Sequence, residues 1–77
     1  STAAPGEHTW AVYFAQVMLN AISVKYSGYD DVEINGTNSG ATTEALKQIQ
    51  RTAGISTCDG TLDKKTWNVL ASMFEFV

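Results

Sequence analysis

His8 and Cys58 are the only histidine and the only cysteine in the chain, so any base-assisted nucleophile would have to be assembled from these two. They lie far apart in sequence, with the histidine near the N-terminal end, and His8 alone supplies neither a zinc triad nor a Ser-His-Asp site. His8 reads as a solvated residue and Cys58 as a half-buried structural one. A lone cysteine also excludes an intrachain disulfide and any multi-cysteine metal site. Asp31-x-Glu33-x-Asn35-Gly36 resembles the opening of a calcium loop, with oxygen ligands at alternating positions before a glycine. The twelfth position, which should be a bidentate glutamate, is Thr42, so the segment reads as an acidic, solvated turn. Asn35-Gly36-Thr37 matches the N-glycosylation pattern, a short match that an Asn-Gly turn makes by accident. With no activated nucleophile and no base–metal pair, the sequence assigns no catalytic residue, no metal and no cofactor.

Recognition chemistry is better represented. A ligand with both apolar and polar surface is met by an aromatic face that covers the one, beside groups that hydrogen-bond hydroxyls, amides and amines on the other. The segment from Tyr26 to Asn38 brings together Tyr26, Tyr29, Asp30, Asp31 and Asn38, which are the candidate ligand-binding residues; its carboxylates suit a free amine.

Those residues must be positioned by a very small domain. Seventy-seven residues allow one core, burying only about 60% of the surface that the unfolded chain exposes. The net charge is -3 and the pI near 4.7, so the positive field that nucleic acid or an anionic membrane demands is missing. No run approaches the ~18 apolar residues of a spanning helix, and no export signal stands at the N-terminus, which reads as a soluble monomer. Ser1-Thr2-Ala3-Ala4-Pro5-Gly6 has linker composition, so residues 1–8 are expected to be a linker or tail and 9–77 the domain. A module cut from a longer chain would leave its compartment open.

Helical periodicity recurs three times, over 9–24, 40–53 and 63–76. The first helix has one stripe of Trp10, Tyr13, Phe14, Val17, Met18, Ala21 and Ile22, and a second of Val12, Ala15, Leu19 and Ile22 that also holds Gln16 and Asn20. That is apolar almost all round, a pattern of burial on more than one side. The second helix is expected to end at Gly54 in a Schellman stop, and the third to be capped by Asp63. Val32–Asn35 could form a short extended piece. Trp67, Leu70, Leu46, Ile49, Leu19 and Ile22 are the expected core.

A displaced copy of the sequence lays Asn35-Gly36-Thr37 over Asp59-Gly60-Thr61, Ser39 over Asp63, Thr42 over Thr66 and Ala45-Leu46 over Val69-Leu70. The unit is a tight turn with positive φ at glycine, a capped helix start, a threonine in the first turn, then two apolar positions. The expected fold is therefore all-α, a compact three-helix bundle with a repeated turn-helix unit.

This pattern resembles the peptidoglycan-binding domain family, the three-helix modules of bacterial and phage cell-wall hydrolases. Ala15-Gln16 stands near that family's Leu-Gln pair, Gly28-Tyr29 at its Gly-Tyr, and Asn35-Gly36 with Thr42-Thr43-Glu44-Ala45 at its first Asp-Gly unit. Ile49-Gln50-Arg51 and Gly54-Ile55 follow in register, and Asp59-Gly60-Thr61 with Lys65-Thr66-Trp67 and Leu70 completes the second unit. Ser39 and Asp63 replace glycines, Gly40 and Lys64 replace prolines, and Asn35 replaces an aspartate. The resemblance implies a non-catalytic module that binds the glycan or peptide stem of peptidoglycan. It would hold an attached hydrolase or assembly protein at the wall, outside the cytoplasm or delivered by phage. The alternative is a packing or protein-interaction domain of a larger secreted or phage protein, which the surplus apolar stripes of the first and third helices would favour.

Overall fold

A computed structural model describes residues 2–77. It contains α1 (Trp10–Lys25), α2 (Ala41–Thr52) and α3 (Lys64–Phe74), with no strand among the described residues. Each lies within two residues of its expected limits, as helix ends allow. Helix α3 packs on both others, and the core is Val12, Ala15, Met18, Leu19 and Ile22 of α1, Leu46 and Ile49 of α2, Leu70 of α3, with Ala3, Val32 and Leu62 from the connections. Trp67 packs half-buried against this cluster.

Each connection into a helix is braced by a buried glutamine on the helix before it. Gln16 Oε1 accepts from the backbone N–H of Asn35 and of Gly36, both at 2.8 Å. Its amide nitrogen donates to Asn35 Oδ1, the Thr37 carbonyl and Thr42 Oγ1 at 3.0–3.2 Å. Gln50 repeats the arrangement: Oε1 accepts from Gly60 N–H at 2.9 Å, and Nε2 donates to the Thr61 carbonyl and Thr66 Oγ1, each at 2.9 Å. In both turns the side chain of the first residue accepts from the backbone two residues on, Asn35 from Thr37 and Asp59 from Thr61, at 2.9 Å. Such a turn needs positive φ at its glycine, and Gly36 and Gly60 adopt 80° and 79°. At Gly60 close approach adds a second constraint, since a Cβ there would lie 2.6 Å from Thr43 Cγ2.

The helix ends follow local chemistry, with one exception. Thr9 caps α1 by accepting from Val12 N–H. Gly54, with Gly54 N–H donating to Arg51 and Ile55 N–H to Gln50, closes α2 as a Schellman motif. Asp63 caps α3 by accepting from Thr66 N–H at 2.9 Å. Ser39, expected to do the same for α2, does not: Gly40 is the N-cap, at φ 52°, without a side-chain hydrogen bond. The difference lies in the acceptor: Thr42 N–H donates to the Ser39 carbonyl, whereas Thr66 N–H donates to the Asp63 side chain, and Ser39 is left exposed. Glu44 in the first turn of α2 supplies the charge complementary to the helix dipole instead.

Residues 2–8 are attached despite their linker composition. Ala3 and Leu62 exchange both backbone hydrogen bonds at 2.9–3.0 Å, Gly6 N–H donates to Asn38, Asn38 N–H to Glu7, and His8 bridges to Thr37. Ala3 is 2% exposed. The extended pairing in this fold is thus made by the N-terminal segment, whereas 32–35 forms no strand. Within 32–35, Val32 is buried and Ile34 exposed.

Two outcomes follow. Gln16→Leu or Gln50→Leu leaves several turn groups buried without partners, each costing about 1–3 kcal/mol; urea denaturation should show a loss well above that of Gln48→Ala, whose amide bonds at the exposed surface. Asp63→Ala should cost about 0.5–2 kcal/mol at neutral pH and Ser39→Ala close to nothing. The Thr66 N–H holds the Asp63 carboxyl below its ordinary value of 3.8, so its contribution is complete above that pH and disappears as pH falls through the folded value. Thermal melts of wild type and Asp63→Ala should therefore converge in acid.

Candidate functional site

The segment 26–34 lies across α1 and α2 because side chains from both helices hold its backbone. Asn20 clamps Val32, accepting from its N–H at 2.7 Å and donating to its carbonyl at 2.9 Å. Gln48 donates to the Gly28 carbonyl at 2.7 Å, and the Tyr29 hydroxyl reaches Thr52 Oγ1 at 3.2 Å. Ser23 Oγ donates to Asp31 Oδ1 at 2.6 Å. The result is an open groove of about 200 Å³ lined by Asp30, Asp31 and Val32 on one side and Glu44, Gln48 and Arg51 of α2 on the other. The carboxylates of such a groove can accept from an amine, and the Arg51 guanidinium can donate to a carboxylate. Among the described residues the one ion pair is Lys47–Glu44 at 3.3 Å, so Arg51 is not committed to a carboxylate.

Of the five residues singled out in the sequence, Asp30 and Asp31 line this groove. Tyr26 and Tyr29 are half-buried against the core, and the Tyr29 ring end is tied to Thr52. Asn38 is wholly buried: its amide donates to the Ala3 and Gly60 carbonyls and its oxygen accepts from Thr43 Oγ1. The nitrogen thus joins the N-terminal segment to the second turn and the oxygen holds Thr43 of α2, so both heteroatoms are engaged within the fold.

A second face, the surplus apolar stripe of the first helix, is open. Helix α1 buries the stripe containing Gln16, which leaves Trp10 75%, Phe14 54% and Tyr13 39% exposed, with Val17 beside them. The rings contact one another, Trp10 edge-on to Tyr13 at 5.7 Å and Tyr13 edge-on to Phe14 at 6.1 Å between centroids. Beside them a cleft of about 440 Å³ is lined by His8, Thr9, Trp10, Tyr13, Asn35 and Gly36. His8 Nδ1 lies 2.9 Å from Thr37 Oγ1, and Thr9 N–H donates to the Gly36 carbonyl at 2.9 Å, which fixes the start of α1 against the first turn. The sign of this in the sequence was Gln16. A glutamine inside has to face turn groups, and turning it inward rotates Trp10, Tyr13 and Phe14 out.

Three short helices linked by two glutamine-braced turns, with shallow open clefts, define a small helical recognition module. The chain belongs to the peptidoglycan-binding domain family: the family model described as "Putative peptidoglycan binding domain" matches residues 11–70, a span that includes both braced turns. No curated protein and no solved structure matches the sequence. The family's domain is itself non-catalytic.

The clamp on the acidic groove can be tested directly. Asn20→Ala removes both bonds to Val32 and should lower stability by about 1–3 kcal/mol. Hydrogen exchange should rise first at the amides of 29–34, ahead of those in α2.

Proposed function

We propose that this chain is a non-catalytic module that binds peptidoglycan and holds an attached hydrolase or assembly protein at the cell wall, outside the cytoplasm or delivered by phage. The observation that carries the reading is the family match across residues 11–70. The groove of Asp30, Asp31, Glu44 and Arg51 has chemistry suited to the peptide stem, which carries both amines and carboxylates. An open site of this size leaves only a small surplus over the ~4–15 kcal/mol association cost, so the dissociation constant should fall in the range of about 10 μM to 1 mM. Tethering makes that sufficient, because the wall is then held near the attached domain at high effective concentration.

Sedimentation with purified insoluble peptidoglycan tests this, with cellulose as the control for adsorption and chitin as a glycan without peptide. The domain should pellet with peptidoglycan and not with cellulose. Asp30→Asn combined with Asp31→Asn should reduce the bound fraction several-fold at an unchanged melting temperature. Wild-type protein left wholly in the supernatant across several wall preparations overturns the reading.

One observation favours a second reading, an interdomain packing role without polymer binding: the exposed aromatic face of α1, together with Phe74, Phe76 and Val77 exposed at the end of the chain described here. That role predicts no sedimentation and burial of Trp10, Phe14 and Val17 by another domain.

A further inference from the structure

The aromatic ledge has a composition and a size that point to a more specific ligand. With roughly 150–250 Å² per ring, the exposures of Trp10, Tyr13 and Phe14 leave on the order of 300–400 Å² of aromatic surface open. That is about half or less of the ~800 Å² per partner of a stable protein interface. The ledge also has a polar border. His8 uses Nδ1 toward Thr37 and Asn35 uses Oδ1 toward Gln16 and Thr37. His8 Nε2, Asn35 Nδ2 and the Tyr13 hydroxyl have no protein partner among the described residues, and all three residues line the cleft with Trp10.

Exposed ring faces beside unengaged hydrogen-bonding groups match the two-sided chemistry of a pyranose, whose axial C–H groups form an apolar face and whose hydroxyl and acetamide groups surround it. We infer that Trp10 and Tyr13, with His8 and Asn35 at their border, form a sugar subsite for an N-acetylated glycan strand. This rests on the wall-binding reading above and deepens it, since it assigns the glycan to α1 and leaves the peptide stem to the acidic groove. The two are connected along the surface: a cleft of about 190 Å³ shares Asn35 with the aromatic cleft and Ala41 with the acidic groove. A sugar on the ledge could therefore carry its substituent peptide along one track. The subsite is preorganised, because the Thr9 cap, the Thr9–Gly36 bond and the His8–Thr37 bridge fix its residues before any ligand arrives.

The test is titration of the 77-residue chain with an N-acetylglucosamine tetramer, followed by isothermal calorimetry, alongside peptidoglycan sedimentation. Trp10→Ala should weaken tetramer binding by about tenfold or more and lower the pelleted fraction, without shifting the melting temperature, because Trp10 is outside the core. Trp10→Phe should recover part of the loss. Phe76→Ala, which removes another exposed ring elsewhere, should change nothing. If wild type pellets with the wall and Trp10→Ala pellets equally while neither binds the tetramer, the subsite is wrong and the wall-binding reading stands. If wild type binds the tetramer through Trp10 but pellets with no wall preparation, the sugar chemistry holds and the peptidoglycan reading falls. A concentration-dependent dimer abolished by Trp10→Ala, with no response to sugar, would make the face an interface between copies and overturn the inference.

Discussion

The structure depends on one repeated interaction, a buried primary amide that satisfies a tight turn. An Asx-Gly turn directs backbone N–H groups to its inner side, where water is absent, and leaves a carbonyl close by. A glutamine side chain both accepts and donates across two adjacent atoms, so it can serve the turn and the threonine of the next helix together. Gln16 does so between α1 and α2, Gln50 between α2 and α3. Each therefore fixes where the following helix starts relative to the helix before it. With eleven buried apolar residues in the core, hydrophobic burial alone specifies position weakly. The amides supply direction, since any other register would leave buried polar groups unpaired at substantial cost. No buried side-chain nitrogen or oxygen among the described residues lacks a partner.

Having two such turns creates a further problem, which is how to join them. The N-terminal segment runs beside both, paired to Leu62 of the second turn and to Thr37 and Asn38 of the first. This is where the internal repeat breaks. Asn38 and Leu62 occupy corresponding positions, yet Asn38 is a polar bracket linking Ala3, Gly60 and Thr43, while Leu62 fills the core. Two identical units could not have met both needs, because one junction requires hydrogen bonds and the other requires volume.

What was legible in the sequence was decided locally. The periodicity of three helices, positive φ at Gly36 and Gly60, the Asp63 cap and the Gly54 stop all follow from residues within a few positions of one another. Leu19, Ile22, Leu46, Ile49 and Leu70 are buried as their stripes implied. What was not legible was decided across the chain. Local pattern offered two apolar stripes on α1 without choosing between them, and Gln16 selects the one that contains it by reaching Gly36. Ser39 corresponds to Asp63 in the repeat, yet Thr42 N–H takes the Ser39 carbonyl rather than its side chain and α2 starts one residue later, after Gly40. Asn38 read as a surface ligand because nothing near it in sequence reveals that Ala3 and Gly60 would converge on its amide. Asp30 and Asp31 line a groove whose opposite wall is Glu44, Gln48 and Arg51 of α2, a pairing across the chain that no local pattern displays.

The same selection separates folding from recognition on a single helix. Helix α1 turns its smaller residues, Val12 and Ala15, inward with Leu19 and Ile22, and sends Trp10, Tyr13 and Phe14 outward. Leaving apolar surface in water forgoes about 25 cal/mol for each Å² that burial would have gained, so a fold selected for stability alone would favour polar residues at solubilising positions and rings inside. Here the interior has no vacancy for them, because Gln16 and the first turn occupy that side and fix the rotation of the helix. The rings are thereby presented on a rigid base whose stability does not depend on them. A surface of that kind can change its aromatic residues, and with them its ligand, while the glutamine-braced core stays as it is.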